Sequence, residues 1–557
     1  MNIIKGFPAT SQNSYQLNVT NILKHGSRNF GKQEIVSKKH DDTLFRYTYK
    51  DAYKRAQRLA NSLLSLGIEV GDRVGVLAWN TNENYEIYFG LPGTGAVMLT
   101  MNLRLNPKEL LYITNHAQAR FVFVHDSLLP LAEAIAPKCE SLEGFVVITD
   151  KNLCDVETRL DPIYSYNELL RKAKSYYEWP NIDETSAYSA CYTTGTTGKP
   201  KGVYSSHRDV YLQAMMYAAN ACFSINDSIF QIVPMFHVLG WGTPQAATLI
   251  GSKLVFPGRY SLNNVEEILQ IMVKEKVTVF NAATSFIMPM LEYIKAMDSK
   301  PDLSGVRFLC GASEPPITMM KEYKEITGAE IIHTYGSTEA MAIVTINNSK
   351  PWLEEKLPLK EKWQLKRKQG YVVSGLDVKI IDSNGKELPI DGKSVGEILL
   401  RGPWVTKQYY RSPNSEEQFS EDGYWKSGDA GTLDEEGYLK ITDRLKDLIK
   451  SGGEWISSID MENFIVSHPA VVEAAVIGAV HPKWEERPIA LVVLRNENEK
   501  TVKSEDIHEY LTKDFAKWQL PEKILFVKSI PKTSVGKIDK KVIKDQYRDI
   551  FIKELKS

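Results

Sequence analysis

The stretch Tyr192-Thr-Thr-Gly-Thr-Thr-Gly-Lys-Pro-Lys-Gly-Val203 holds four threonines, three glycines and two lysines in twelve residues. Glycines permit tight turns and let backbone N–H groups come close to an anion. The hydroxyls of Thr193, Thr194, Thr196 and Thr197 add donors, and Lys199 and Lys201 add positive charge. This is chemistry for cradling phosphate oxygens, with Gly195 and Gly198 at the turns. It is not the Walker A arrangement. The spacing is GxxGK rather than GxxxxGK, and Pro200 stands where a Ser or Thr would hold magnesium.

Such a loop needs a scaffold, and the pattern around it supplies one. Arg73 to Trp79 and Phe121 to Val124 read as buried strands, with a helix from Asn106 to His116 between them. This βα alternation persists through the first 440 residues or so and predicts layered, mostly parallel sheets. Paired turn residues (Asn384-Gly385, Asp391-Gly392, Asp422-Gly423, Glu436-Gly437) then surround short strands such as Glu397 to Leu400, which predicts a small antiparallel β subdomain. Beyond the charged run at 443–447 the pattern becomes a compact α+β unit. It has helices at Ser458 to His468 and Ser504 to Phe515, and strands at Val471 to Val480 and Pro488 to Leu494. The fold class is therefore α/β, a large N-terminal domain over residues 1–445 and a small α+β domain over 447–557.

A chain of 557 residues is too long for one core, and its 43% apolar and 25% charged fractions are those of an ordinary globular protein. A formal net charge of −1 gives no global pull toward nucleic acid or anionic membranes. The five cysteines form no CxxC pairs, so reduced, scattered thiols are expected. The N-terminus lacks the apolar core of a signal peptide. The longest aliphatic stretch, Val471 to Val480, carries Glu473 and is half of what a bilayer crossing needs, so no transmembrane segment and a cytoplasmic location are expected.

The Thr/Gly/Lys loop resembles the signature of the acyl-adenylate-forming (AMP-binding) superfamily, which includes acyl-CoA synthetases, luciferases and peptide-synthetase adenylation domains. Further segments resemble the family's other motifs in the family's order, from roughly residue 30 to 547. They are Pro234-Met-Phe-His-Val-Leu-Gly-Trp241, Leu309-Cys-Gly-Ala-Ser-Glu-Pro-Pro316, His333-Thr-Tyr-Gly-Ser-Thr-Glu339, Gly423-Tyr-Trp-Lys-Ser-Gly-Asp-Ala-Gly431, Ile441 to Trp455 and Pro531-Lys-Thr-Ser-Val-Gly-Lys537. Taken singly, several of these are ordinary features: a histidine after an apolar run, a strand-end turn, a loop lysine.

By this resemblance His237 lies beside the reacting carboxylate, and Val238 and Trp241 belong to the same segment. In long-chain synthetases the position of Trp241 gates the acyl tunnel. Gly311 and Ala312 belong to a turn that presents its backbone to adenine. In the segment from His333 through Thr334 to Gly336, Tyr335 offers a flat face for adenine stacking. Thr338 is a donor to the α-phosphate, and Glu339, with Thr193, is a hard oxygen ligand for Mg²⁺. Asp429 and Arg444 are expected on the ribose, Lys450 and Trp455 near the nucleotide, and Gly452 and Gly453 along the pantetheine arm. Lys446 is the expected hinge, and Lys537 the lysine bridging carboxylate and α-phosphate. Within the superfamily, Lys450-Ser-Gly-Gly-Glu-Trp-Ile-Ser-Ser458 and Phe515-Ala-Lys-Trp-Gln-Leu-Pro521 look most like bacterial and archaeal medium- and long-chain acyl-CoA synthetases. Ser337 and the segment Ala282 to Pro289 depart from what a long-chain enzyme would carry, which affects acyl-chain length and not the chemistry.

The resemblance implies an ATP-, Mg²⁺- and CoA-dependent ligase that makes an acyl-adenylate from a carboxylic acid, of aliphatic type, and passes the acyl group to CoA. The alternatives are an adenylating enzyme that loads a separate carrier protein and an inactive nucleotide-binding regulator. With twenty residues after Lys537, a fused carrier domain is not expected. Related synthetases are often homodimers, so a dimer stands among the expectations.

Overall fold

The computed structural model describes residues 4–11, 14–193, 199–261, 264–413, 415–451, 454–495, 501–532 and 538–554. Three sheets organise them. The first has seven strands in the spatial order Ile163–Ser165, Gly144–Ile148, Ala119–His125, Arg73–Leu77, Val97–Thr100, Ala187–Thr193 and Lys201–Ser206. All neighbours are parallel except the last pair, a hairpin whose connection is the Thr/Gly/Lys loop.

Period-two alternation divides this sheet between two cores. Phe121 and Phe123 face Val74, Val76, Tyr85 and Phe89, whereas Val122 and Val124 face Leu77, Leu99, Leu110 and Ile113. Burial on both faces explains why these strands read as unbroken apolar runs. Helix starts are equally local. Asn106 caps Pro107–Ala117 in a capping box with Glu109, and Ser206 caps His207–Asn220 in one with Asp209.

The second sheet has thirteen strands. Its parallel half runs Glu34–Lys38, Lys253–Phe256, Ser228–Gln231, Val279–Ala283, Arg307–Gly311 and Glu330–Tyr335, with Leu44–Thr48 antiparallel at the edge. One face shares the first core with the seven-stranded sheet, through Ile35, Leu254, Phe256 and Leu309. The other buries Phe230, Phe280 and Phe308 under the helices Val265–Lys274, Thr284–Ala296 and Ile317–Thr327.

The antiparallel half continues this same sheet instead of standing apart. It begins earlier than the turn residues suggest, at Thr345–Ile346, and takes in Gly370–Val372, Tyr438–Arg444, Trp425–Leu433, Gly396–Arg401 and Asp377–Ile381. The four expected turn glycines, Gly385, Gly392, Gly423 and Gly437, all take positive φ. The third sheet, of five strands, lies after the charged run and pairs Val471–His481 with Glu485–Leu494. The five cysteines are free thiols. No helix among the described residues is long and apolar enough to cross a membrane.

Candidate active site

Four of the motif segments leave their strands at the carboxyl end: Thr193, the run after Gln231, Gly311 and Tyr335. In open α/β sheets this is the edge where ligands bind. The strand Ala187–Thr193 packs beside the turn Thr338–Ala340, which carries Glu339.

The tightest grouping is Tyr335, Asp429 and Arg444. The Tyr335 hydroxyl donates to Asp429 Oδ2 at 2.6 Å, and Arg444 Nε pairs with Asp429 Oδ1 at 2.8 Å. Asp429 and Arg444 are direct partners across antiparallel strands, so register fixes the pair. Burial, then the Asp429 charge, pushes the Tyr335 phenol up and keeps it a donor. Each carboxylate oxygen has two lone-pair sites, so Asp429 keeps acceptor capacity for a pair of hydroxyls.

Glu339 sits on the Thr338–Ala340 turn, and its Oε1 accepts from the Tyr409 hydroxyl at 2.8 Å. Burial raises its pKa, and the Tyr409 bond opposes that shift. Tyr409 also accepts from Trp425 Nε1 at 3.1 Å and carries Lys201 Nζ 4.6 Å from its ring centroid. The adjacent Tyr410 N–H donates to Gly202 O at 2.9 Å, tying the strand Lys201–Ser206 to this segment. Lys199 Nζ lies 5.3 Å from the centre of the Tyr112 ring.

No group of three or more His, Cys, Asp or Glu side chains that could hold a metal occurs among the described residues. The half-buried Glu339 carboxylate, which accepts from the Tyr409 hydroxyl, nevertheless fits Mg²⁺ that arrives with a nucleotide. That ion keeps waters and phosphate oxygens and takes only one or two protein oxygens.

The segment after Gln231 is unusual in its backbone. Val238, Leu239, Gly240, Trp241 and Gly242 take φ of 36°, 47°, 58°, 64° and 77° in succession. For the three non-glycine residues this costs about 1–2 kcal/mol each. Ala312, Met341 and Ala342, in the neighbouring site loops, also have positive φ. Concentrated strain of this kind is a mark of functional loops. Trp241 is buried with its indole against Gly311, where an added Cβ would lie 2.8 Å from the ring and 2.9 Å from Thr334 Oγ1. Thr334 in turn donates to Cys310 O. His237 is half-buried at the head of this turn, its carbonyl accepting from Gly240 N.

Several expected residues have other partners. His333 points to the carbonyls of Arg367 and Lys368, 3.1 Å from each, and burial lowers its pKa to about 4. It tethers a loop as a neutral ring. Gly336 answers a chain crossing, since an added Cβ would lie 1.3 Å from Ala342 O. Lys450 pairs with Glu485 at 3.2 Å, within the unit that follows Lys446, and Trp455 is 52% exposed. The carbonyl of Lys446 accepts from Lys544, which also pairs with Asp447. Thr194, Gly195, Thr196, Thr197, Gly198, Gly452, Gly453 and Lys537 lie outside the described residues.

Sequence reading missed Tyr409 and the cluster that joins the two units. Arg367 bonds Glu314 and also Asp460, Lys440 pairs with Asp460 at 3.2 Å, and Asn463 donates to Glu314 at 2.8 Å. The Glu314 side of this cluster had a signal, because that residue lies within a quoted motif.

Two α/β sheets that share one core, and an acid–arginine–tyrosine cluster near a half-buried glutamate, fit an enzyme that handles a nucleotide. The AMP-binding enzyme family matches residues 24–410 and the AMP-binding enzyme C-terminal domain matches residues 460–537. A long-chain-fatty-acid–CoA ligase of Thermus thermophilus is 38% identical over 98% of this chain and 98% of its own. A 3-methylmercaptopropionyl-CoA ligase of Ruegeria lacuscaerulensis is 36% identical over 95% of this chain and 97% of its own. Among solved structures, an anthranilate CoA ligase in complex with anthranoyl-AMP superposes with a TM-score of 0.84 at 26% identity, over 97% of this chain and 99% of its own. The chain belongs to the AMP-binding enzyme family, and its activity is that of an AMP-forming carboxylate–CoA ligase.

Proposed function

We propose that this ligase activates an aliphatic carboxylic acid in the cleft between Thr193, His237, Gly311, Tyr335 and Glu339, and that residues 447–557 turn about Lys446 between its two half-reactions. The observation that carries the reading is the Tyr335–Asp429–Arg444 cluster beside Glu339, at the carboxyl ends of the parallel strands. In the first half-reaction a carboxylate oxygen attacks the α-phosphorus of ATP and pyrophosphate leaves. Negative charge grows on the phosphoryl oxygens, so fixed donors and cations lower the barrier. Thr338, the loop from Thr193 to Lys199 and Lys537 supply them, while Asp429 and Arg444 hold the ribose and Gly311 and Tyr335 hold the adenine. When bound to Glu339 and Thr193, Mg²⁺ neutralises part of that charge.

In the second half-reaction the CoA sulfur attacks the acyl carbon and AMP leaves. A thiol of pKa about 8.5 is partly ionised near neutrality, so a dedicated base is dispensable. Withdrawal of Lys537 by the rotation frees the line of approach, and Gly452 and Gly453 then border the pantetheine arm. The acyl class follows the aliphatic substrates named for the two curated relatives. A homodimer in the cytoplasm completes the proposal.

The test is CoA-dependent AMP formation across straight-chain acids from acetate to palmitate, with hydroxybutyrates and benzoate. A sharp optimum among aliphatic acids is expected, and an optimum with benzoate overturns the aliphatic assignment. Lys537→Ala is expected to lose acid-dependent pyrophosphate release by about 10²–10³ while still making thioester from supplied acyl-AMP. Equal loss of both steps would sink the two-orientation account.

A further inference from the structure

The turn that follows the strand Arg307–Gly311 has two sides. Ala312 and Ser313 are exposed, while Glu314, Pro315 and Pro316 are buried. Ala312 takes a positive φ of 71°, and Thr284 Oγ1 donates to Ser313 O at 2.8 Å, so the turn is fixed at its middle. A shift of Glu314 is therefore passed along a short, pinned stretch of backbone to Gly311.

Two donors converge on Glu314 Oε1: Arg367 Nε from the large unit and Asn463 Nδ2, at 2.8 Å, from the small one. Asn463 lies one helical turn beyond Asp460 on the helix Ser458–Val466, and Asp460 accepts from Nη2 of the same Arg367. Arg367 closes the helix Leu359–Arg367. Its carbonyl lies 3.1 Å from His333 Nδ1 on the strand Glu330–Tyr335, and Asn347 Nδ2 donates to Leu365 O at 2.8 Å. One arginine thus joins the Gly311 turn, the Tyr335 strand and a helix of the other unit.

A buried carboxylate is costly unless its lone pairs are met, and an apolar side chain of similar size is often cheaper. Glu314 Oε2 meets no hydrogen-bond partner among the described residues. The units also touch without such a device, since Arg495 and Glu292 form an exposed pair at 3.4 Å. What the buried acid adds is a direct line from the small unit to the turn.

We propose that Glu314, Arg367 and Asn463 are positioning residues through which the small unit holds the adenine turn, so that nucleotide affinity depends on how the helix Ser458–Val466 is seated. The inference rests on the proposed placement of adenine against Gly311 and Tyr335. Seated as described, the helix holds the Gly311 backbone where the base meets it. Unseated, Glu314 loses the Asn463 bond, Arg367 loses Asp460, and the turn is free to drift. Linkage makes the effect mutual, because bound nucleotide favours the seated helix by the same factor that seating favours nucleotide.

The test is calorimetric titration of the full-length protein with α,β-methylene-ATP and Mg²⁺, with neither acid nor CoA present. Asn463→Ala is expected to weaken binding at least about fivefold, the lower end of ordinary coupling between sites. Glu314→Leu removes the acceptor and is expected to weaken it at least as much. Glu314→Gln keeps one acceptor oxygen for both donors and is expected to stay within about twofold of wild type. Arg495→Gln cuts the exposed pair between the same two units and is expected to leave affinity unchanged. Inorganic tripolyphosphate, which lacks the base, is expected to bind Asn463→Ala as it binds wild type, a split that general loosening would not produce. Wild-type affinity for the analogue in Asn463→Ala, equal weakening in Arg495→Gln, or a parallel loss for tripolyphosphate overturns the coupling. Should Glu314→Leu not fold, Asn463→Ala and its control decide alone. Wild-type protein that binds tripolyphosphate as tightly as the analogue refutes the adenine reading itself, before any variant is measured.

Discussion

Glu339 and its partner show how a single hydrogen bond tunes a half-buried carboxylate. In the proposed Mg²⁺ role the carboxylate has to stay charged, and burial works against this. The Tyr409 hydroxyl offsets part of the burial cost, and Trp425 Nε1 in turn fixes that hydroxyl. Tyr409→Phe removes the donor and leaves the indole N–H without its acceptor. Groups that orient a ligand to a metal cost about 10–100-fold when removed. A Mg²⁺ titration of acid-dependent pyrophosphate release should therefore need about tenfold more Mg²⁺ in Tyr409→Phe, with a smaller loss of maximal rate than in Glu339→Gln. Coincident titration curves for Tyr409→Phe and wild type would show that the hydroxyl plays no part in holding the ion.

Among the elements, the helix Ser458–Val466 meets the large unit through charge, and Glu314 is the group most out of place. It is 8% exposed with Oε2 unpartnered, and its pKa is pushed up to about 7. Burial is the main cause and Asp460 adds to it, while Arg367 and Lys440 pull the other way. The folded protein thus holds a proton that the unfolded chain, with an ordinary glutamate near 4.5, has released. Stability is full below that lower value and declines as pH rises toward 7, by at most about 3 kcal/mol. Glu314→Gln stays neutral throughout. Calorimetry between pH 5 and 8 should find wild type losing melting temperature relative to Glu314→Gln as pH rises, and parallel curves would exclude Glu314 as the cause.

This cluster also marks where sequence reading stops. Phe121 to Val124, the Asn106 cap and the four turn glycines are legible because strand period, capping and positive φ are local properties. Tyr335 and Asp429 are legible for another reason, since each lies in a motif, although their mutual hydrogen bond spans 94 residues. Tyr409 and Arg367 carry no local pattern, and only the packing of distant strands gives them their partners. His333 is the converse case, a motif residue whose ring is turned to backbone carbonyls 34 and 35 residues away.

At the scale of the whole molecule, the two units meet across a polar seam. Asp460 reaches from the smaller unit to both Arg367 and Lys440, and Ser458 N–H donates to Asp443 Oδ2 at 3.0 Å, shortly before Lys446 in the chain. Beside them lies a cleft of about 700 Å³ lined by Trp363, Phe464 and Phe515 as well as the charged residues. Directional, charged contacts suit the proposed rotation about Lys446, because an apolar interface of equal area would favour one orientation too strongly. The described orientation then owes its population to contacts such as those of Asp460. Asp460→Asn keeps the shape and removes the charge that Arg367 and Lys440 share. A loss of about 1–2 kcal/mol in that orientation shifts its population about 5–30-fold. The consequence is asymmetric: the half-reaction served by this orientation should slow by such a factor, while the other holds or quickens. Single-turnover pyrophosphate release from acid and ATP, and thioester formation from supplied acyl-AMP and CoA, measure the two separately. If Asp460→Asn slows both to the same extent, the seam is only a structural support and the rotation about Lys446 is governed elsewhere.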